Sequence, residues 1–154
     1  MPLNKDWREF LELLNSNGVE YLVVGAFAVA FHGYPRYTGD LDLFFRPSSE
    51  NAKRVMQTLV KFGFGRVGIH EEDLSSPNKV IQLGMTPNRI DLLTSISGVS
   101  FQEAWDTRIE ADLDGIPVNF INRATLLRNK MQTGRAKDLG DVQELRNRIP
   151  GRDS

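Results

Sequence analysis

Two aspartates, Asp40 and Asp42, lie two positions apart in the apolar run Asp-Leu-Asp-Leu-Phe-Phe. Alternate side chains of a β-strand leave opposite faces, so both carboxylates leave one face and the leucines leave the other. A third acid, Asp91, lies between apolar residues in Arg-Ile-Asp-Leu-Leu. If the two strands are neighbours, three carboxylates converge and repel one another, and a divalent cation relieves that repulsion. Because all the donors are oxygens, Mg²⁺ or Mn²⁺ is favoured over zinc, and two such ions suit an in-line displacement that releases pyrophosphate.

The segment before these aspartates predicts an anion-binding turn. Residues 20–24 are almost entirely apolar, which predicts a short buried strand, and a helix over residues 25–31 follows directly at Gly25. The first N–H groups and the positive end of the helix dipole favour a negative ligand such as phosphate. A phosphate-binding turn so close to a carboxylate pair suggests a site for a metal ion and a triphosphate.

The remaining sequence supplies elements that position these residues. Helices are predicted at 4–16, at 48–62 and at 101–106, with hairpins formed by 79–85 with 89–94 and by 108–113 with 116–121. Residues 41–46 form the strand of the aspartate pair, whereas 65–78 give no clear pattern. Two helices, 124–132 and 135–149, end the chain and separate at Gly134. The predicted buried stripes are Val55, Met56, Leu59, Val60 and Phe62 in the second helix and Leu139, Val142, Leu145 and Ile149 in the last.

This order of elements predicts an α/β or α+β fold in a single domain covering 1–154, with a core at about 19–121 and a helical segment at about 122–150. Hydrophobic residues make up 40% of the chain and the net charge is −1, which argues against a surface that coats nucleic acid. The last 32 residues are different, since residues 123–154 carry eight Lys or Arg and four acids. A basic C-terminal segment folded over the acidic cluster would suit a triphosphate.

The chain has no cysteine, which excludes a disulfide framework and a thiolate metal site. No apolar run approaches the roughly 18 residues of a membrane span, and the first residues lack the apolar stretch of a signal peptide. These features predict a cytoplasmic protein that does not enter a membrane.

Two stretches resemble a known superfamily. Residues 32–43 read His-Gly-Tyr-Pro-Arg-Tyr-Thr-Gly-Asp-Leu-Asp-Leu, and residues 130–141 read Lys-Met-Gln-Thr-Gly-Arg-Ala-Lys-Asp-Leu-Gly-Asp. With the Gly-helix turn and the later acid, they resemble the minimal nucleotidyltransferase domain of the DNA polymerase beta superfamily. More narrowly, they are similar to a bacterial branch related to the abortive-infection nucleotidyltransferase toxins. The resemblance covers about 20–45, 88–94 and 128–146, in the expected order.

The resemblance implies an α+β fold with a mixed central sheet flanked by helices and two C-terminal helices. It also implies transfer of a nucleoside monophosphate from a nucleoside triphosphate to a hydroxyl, with pyrophosphate release and Mg²⁺ or Mn²⁺, in two ions, as cofactor. Asp40, Asp42 and Asp91 would hold the metal, and Asp91 is also a candidate base. The implied nucleotide-binding residues are Gly25, Ala26, Arg36, Thr38, Lys130 and Lys137, with Arg135, Asp138 and Asp141 in support.

Several alternatives stay open. Arg36 and Thr38 could instead fix their loop by a salt bridge and a cap, and the charged residues of the last two helices could simply pair at the surface. At Ala26 the superfamily usually has Gly or Ser, so a catalytically silent domain that binds a nucleotide or a partner protein is the rival hypothesis. A metal-dependent nuclease or phosphatase is disfavoured by the phosphate-binding turn.

The acceptor is also open between the end of a tRNA, a protein side chain and a small molecule such as an antibiotic. A toxin would have an antitoxin protein as partner. His32 is interpreted as fixing a loop by hydrogen bonding, His70 as solvated, and Trp7 and Trp105 as core residues.

Overall fold

A computed structural model describes residues 3–34, 38–64 and 68–147 of the 154 residues. Its helices and strands follow the predicted order closely. The elements are α1 (Lys5–Ser16), β1 (Tyr21–Val24), α2 (Gly25–Phe31), β2 (Asp40–Phe45), α3 (Ser49–Phe62), α4 (Glu71–Ser75), β3 (Val80–Leu83), β4 (Arg89–Leu93), α5 (Phe101–Asp106), β5 (Ile109–Leu113), β6 (Ile116–Phe120), α6 (Arg123–Thr133) and α7 (Ala136–Arg146).

A six-stranded mixed sheet in the order β3-β4-β2-β1-β6-β5 forms the centre of the fold. β1 pairs antiparallel with β2 and parallel with β6, while β2 pairs parallel with β4. The two predicted hairpins, β3–β4 and β5–β6, supply the antiparallel edges. This is the α+β architecture that the sequence predicted, with α6 and α7 at the C-terminal end.

The sequence determines the ends of the helices through local hydrogen bonds. Asn4 accepts a hydrogen bond from the N–H of Trp7 at the start of α1, and Ser48 does the same for Asn51 at the start of α3. Gly63, with φ of +97°, ends α3 in the left-handed conformation that glycine adopts without a Cβ clash. The apolar side of α1, which includes Trp7 and Phe10, is buried against the sheet and α3.

The burial of the side chains of β2 varies along the strand. Leu41 and Leu43 are fully buried on one face, while Asp40 and Asp42 on the other face are half-buried. Phe44 belongs to the same face as the aspartates, yet it is buried, because Phe101 of α5 packs edge-on against its ring. Thus α5 covers one end of this face, and the end that carries the acids is left accessible.

Some predictions about burial were wrong. Leu139 of α7 is 48% exposed and Val60 of α3 is 61% exposed. In α7 the inward-facing positions next to Val142 are taken by Asp138 and Asp141, which are buried by ion pairing with α6. Ile149 lies outside the described residues. The helix Glu71–Ser75 was not predicted. None of the helices in the described part of the chain is both long and apolar enough to cross a lipid bilayer.

Candidate active site

The three aspartates lie on two adjacent parallel strands. Asp42 of β2 is directly opposite Asp91 of β4, and Asp40 is opposite Arg89. Because directly opposed residues of paired strands share a face, all four side chains leave the same side of the sheet. Asp91 is 7% exposed, so its carboxylate is largely removed from water. The predicted proximity of the two strands is confirmed, and the role of the acids stays a prediction.

The carboxyl group of Asp42 is strongly affected by this setting. Its pKa rises to about 7, first because burial disfavours the charged form, and then because Asp91 and Asp40 are negative neighbours. Lys130 acts in the opposite direction, because a nearby positive charge favours the ionised carboxylate. Burial and the two negative neighbours together outweigh this effect of Lys130.

Arg89 is the functional-site residue that the sequence reasoning missed. Its Nε and Nη2 atoms donate to both carboxylate oxygens of Asp91, at 3.0 and 2.9 Å, and Nε lies 3.4 Å from Oδ1 of Asp40. The signal was present in the sequence, since Arg89 and Asp91 are spaced two apart on a strand just as Asp40 and Asp42 are. A guanidinium group thus connects two of the three acids.

The chemistry of the donors fits a divalent cation, although the arrangement is not that of a finished metal centre. Three carboxylates on adjacent strands are hard oxygen donors of the kind that Mg²⁺ and Mn²⁺ prefer. The pKa of Asp42 is raised first by burial and then by its negative neighbours, and a bound cation would relieve the repulsion from those neighbours. Yet among residues 3–34, 38–64 and 68–147, no three His, Cys, Asp or Glu side chains are arranged as a ready metal site.

Gly25 allows Asp42 to sit over the start of α2. Its φ is +69°, and a Cβ atom built on it would lie 2.0 Å from Oδ2 of Asp42. Real Cβ atoms do not approach an oxygen that closely, so any other residue here would displace the carboxylate. Val24 precedes α2 without capping it by a side chain, and Val24, Gly25 and Ala26 all line the cavity above the acids. Gly25 is therefore needed both for the turn into α2 and for the position of the Asp42 carboxylate.

The loop before β2 is fixed by Thr38. Its hydroxyl donates to the carbonyl oxygen of Asp40 at 3.0 Å and accepts from the Asp40 N–H at 3.3 Å. Thr38 also lines the cavity, so the local cap and a contact with ligand are compatible. Arg36, the other predicted phosphate contact of this loop, lies outside the described residues.

Lys130 of α6 is held inside an ion-pair cluster. The side chain is 6% exposed, and Nζ lies 2.8 Å from Oδ1 of Asp138 and 3.2 Å from Oδ2 of Asp141. Burial acts to raise the pKa of Asp138, but hydrogen bonds from Lys130, Thr133 and Arg135 outweigh it and lower that pKa to about 2. The charged residues of the last two helices therefore do pair with one another, as one of the alternatives from the sequence proposed. The pairing of Lys130 with Asp138 and Asp141 is buried rather than at the surface.

A cavity of about 700 Å³ joins these parts. Its lining includes the cations Lys130, Arg135 and Lys137 as well as the three aspartates. Arg135 is 71% exposed and donates to Asp138 at 2.6 Å, and Lys137 is exposed. Asp141 is not among the lining residues, but it pairs with Lys130, which is. The remaining lining residues are largely apolar or small, among them Val80, Leu93, Ile96 and Ser97.

The minor sequence predictions have clear outcomes. His32 is 1% exposed and its Nε2 donates to the carbonyl oxygen of Ile121 at 2.7 Å, which confirms that it fixes the chain by hydrogen bonding. His70 is exposed at the start of α4. Trp7 is buried in the core at 4% exposure, whereas Trp105 is only half-buried and packs on Phe101.

No protein-family model matches this chain, and no curated protein is significantly similar to it in sequence. Solved structures do match. TM1012 from Thermotoga maritima, a proposed nucleotidyltransferase, superimposes with a TM-score of 0.61 at 15% identity, covering 92% of this chain and 90% of its own. The lincosamide antibiotic adenylyltransferase LnuA, solved with lincomycin bound, gives 0.58 at 17% identity, covering 95% and 98%. The antibiotic-resistance factor ANT(2'')-Ia gives 0.58 at 12% identity, covering 91% and 80%.

The chain has the nucleotidyltransferase fold. At these levels of identity the likeness establishes the fold and not the reaction. The narrower resemblance to the abortive-infection toxins has no counterpart among these structures. Within this nucleotidyltransferase fold, the acids of β2 and β4, the start of α2 and the cations of α6 and α7 surround a single cavity.

Proposed function

We propose that this protein is a metal-dependent nucleotidyltransferase that moves a nucleoside monophosphate from a nucleoside triphosphate to a hydroxyl group and releases pyrophosphate. One observation carries the proposal. Asp40, Asp42 and Asp91 share a cavity with the start of α2 and with Lys130 and Lys137. Anionic donors for a cation and cationic groups for a polyphosphate thus line the same space.

The nucleotide would be held by groups of both charge types. The N–H groups of Gly25 and Ala26 offer a phosphate contact that needs no side chain, which is why Ala in place of the usual Gly or Ser is compatible with binding. Lys137 and Arg135 are exposed at the mouth of the cavity and are suited to steer a triphosphate into it. Lys130 is held rigidly by its two aspartates, so it would meet the phosphates without losing side-chain entropy.

Asp40, Asp42 and Asp91 are the proposed ligands of Mg²⁺ or Mn²⁺, with two ions as the expected number. When bound, such ions neutralise the charge of the phosphates and of the departing pyrophosphate. In the transfer, the acceptor oxygen forms a bond to the α-phosphorus, and the bond from that phosphorus to the pyrophosphate oxygen breaks. The acceptor proton moves to a carboxylate, for which Asp91 is the candidate. Positioning and charge stabilisation supply most of the catalysis in this kind of reaction.

Three chemical classes of acceptor fit this reaction: the end of an RNA such as a tRNA, a protein side chain and a small hydroxyl compound. The apolar side of the cavity, formed by Val80, Leu93 and Ile96, gives room for a nucleobase or for a small acceptor. LnuA is by its name a lincosamide adenylyltransferase, which makes small antibiotics the first acceptors to test. A toxin role with an antitoxin partner, and a cytoplasmic location, belong to the same proposal.

The test is transfer of label from each α-³²P nucleoside triphosphate in the presence of Mg²⁺ or Mn²⁺ and a cell extract. The Asp40→Asn/Asp42→Asn double variant is the inactive control, and Glu9→Gln, which changes an exposed acid of α1, is the matched remote control. We expect transfer by the wild type and by Glu9→Gln, none by the double variant, and none in EDTA. The labelled fraction, whether RNA, protein or small molecule, identifies the acceptor class.

The other outcomes are equally informative. If no label moves but a nucleotide with Mg²⁺ raises the unfolding temperature of the wild type, the protein is the silent nucleotide-binding domain considered above. If the double variant transfers label as well as the wild type, the carboxylates are not the reaction centre. Growth arrest on expression, relieved by a neighbouring gene product, would identify a toxin.

A further inference from the structure

The guanidinium group of Arg89 occupies the space between two of the three carboxylates. It binds Asp91 through two parallel hydrogen bonds of 3.0 and 2.9 Å, and its Nε is 3.4 Å from Asp40. A guanidinium and a carboxylate joined in this two-pronged way form the strongest kind of side-chain ion pair. The arrangement uses the same oxygen atoms that a divalent ion would need.

The charge balance of the cluster explains this position. Asp42 lies directly opposite Asp91 and two residues from Asp40 on the same face of the sheet, so three carboxyl groups are close together. Lys130 is already paired with Asp138 and Asp141. Of the cations in the part of the chain that the structure describes, Arg89 is the one that pairs with Asp40 and Asp91. Without it, three carboxylates would face one another with little compensation.

The side chain of Arg89 is also placed so that it can turn away from the acids toward solvent. Its side chain is 31% exposed, whereas that of Asp91 is 10% exposed. A long side chain with one end at the surface can turn toward solvent by rotating its own bonds, without moving the strand beneath it. Asp91 is therefore held in place, whereas the guanidinium group of Arg89 can move.

We infer that Arg89 is the resident counterion of the carboxylate cluster, and that it competes with the divalent cation for Asp40 and Asp91. The inference rests on the proposed function, because it takes these acids as the metal ligands. It explains why the three acids are close in register and yet do not form a ready metal site among the residues that the structure describes. In the metal-free protein Arg89 stabilises the cluster; on metal binding it must release at least one of the two carboxylates.

The test is equilibrium binding of Mn²⁺ to the full chain, without nucleotide, measured from the electron paramagnetic resonance signal of free Mn²⁺. In Arg89→Gln the competing charge is absent, so the dissociation constant should fall about tenfold. Arg46→Gln is the matched control, because Arg46 makes a similar two-pronged contact with Glu20, at 2.9 and 3.3 Å, and is 24% exposed. It lies beyond the other end of β2, roughly 20 Å from Asp40, where salt screens its charge. Its Mn²⁺ affinity should stay within about twofold of the wild type.

Thermal unfolding gives a second readout that does not depend on activity. In EDTA, Arg89→Gln should unfold at a lower temperature than the wild type, since the acids have lost their counterion. Saturating Mn²⁺ should raise its unfolding temperature more than it raises that of the wild type, because tighter binding to the folded state gives greater stabilisation. Arg89→Lys keeps the charge but not the fork, and should bind Mn²⁺ about threefold more tightly than the wild type. It replaces Arg89→Gln if that variant does not fold.

Mn²⁺ affinity that is unchanged or weaker in the folded Arg89 variants overturns the inference, and would make Arg89 a residue that positions Asp91 for the metal. In that case wild-type binding, lost in the Asp40→Asn/Asp42→Asn variant, still supports the metal site of the proposed function. If no protein in the series binds Mn²⁺, the inference and the metal-dependent function fail together. The two failures are therefore distinguishable.

Discussion

Replacing Asp42 by asparagine should stabilise the metal-free protein above neutral pH while abolishing its proposed activity. The pKa of Asp42 is about 7 in the folded chain against an ordinary value of 3.8. A protonated Asp42 therefore stabilises the fold fully below about pH 4, and this contribution is lost as the pH rises through about 7. Asparagine is neutral at every pH and avoids the loss.

The magnitude follows from the pKa difference of roughly three units. Each unit corresponds to about 1.4 kcal/mol, so the ionised carboxyl costs up to about 4 kcal/mol of the free energy of unfolding at pH 8. Asparagine avoids this cost, but its own buried amide loses hydration, which we expect to offset about half of the benefit. The net gain in the free energy of unfolding at pH 8 is then ~2 kcal/mol. In a chain of this size such a gain raises the unfolding temperature by about 4–8 °C. The cost of burying the amide does not depend on pH, so at pH 4, where Asp42 is protonated in the folded chain, Asp42→Asn should be about 2 kcal/mol less stable than the wild type.

The assay is urea denaturation in EDTA at pH 4, 6 and 8, followed by tryptophan fluorescence, since Trp7 is buried in the core. Glu9→Gln is the control, because it makes the same chemical change at an exposed position. The informative quantity is the difference between Asp42→Asn and the wild type, which should grow with pH. A difference that is zero at pH 8, or that is the same at pH 4 and pH 8, would refute the electrostatic description of the cluster.

Two further substitutions test how the site is built. Gly25→Ala should destabilise the protein by more than the ~1–2 kcal/mol that a left-handed alanine costs, since its Cβ would also push Asp42 aside. Gly134→Ala is the matched control, with the same φ of +69° and nothing within 4 Å of the added Cβ, so equal losses in urea denaturation would disprove the contact with Asp42. Lys130→Met should cost about 3–5 kcal/mol, because it removes the buried cation that pairs with both Asp138 and Asp141. Exposed Lys137→Met should leave stability unchanged and weaken nucleotide binding; a similar loss of stability in both would contradict the buried role of Lys130.

The sequence by itself determined the elements of this protein because their signals are local. The spacing of Asp40 and Asp42 requires a shared face on any strand, and Gly25 after an apolar run marks a turn into a helix. Caps and glycines defined the ends of α1 and α3 to within about a residue, since the hydrogen bonds that end a helix involve neighbours in the chain.

The tertiary structure decided which of these residues face one another. Leu139 was predicted to be buried and is exposed, because the pairing of Asp138 and Asp141 with Lys130 turns a polar side of α7 inward. Hydrophobic periodicity does not reveal which side of α7 faces inward here, since a buried ion pair depends on a partner from another helix. The placement of Arg89 between Asp40 and Asp91 likewise depends on the register of β2 against β4. Register is set by packing of the whole sheet, and it converts three acids in a sequence into a cluster whose charge a cation must balance.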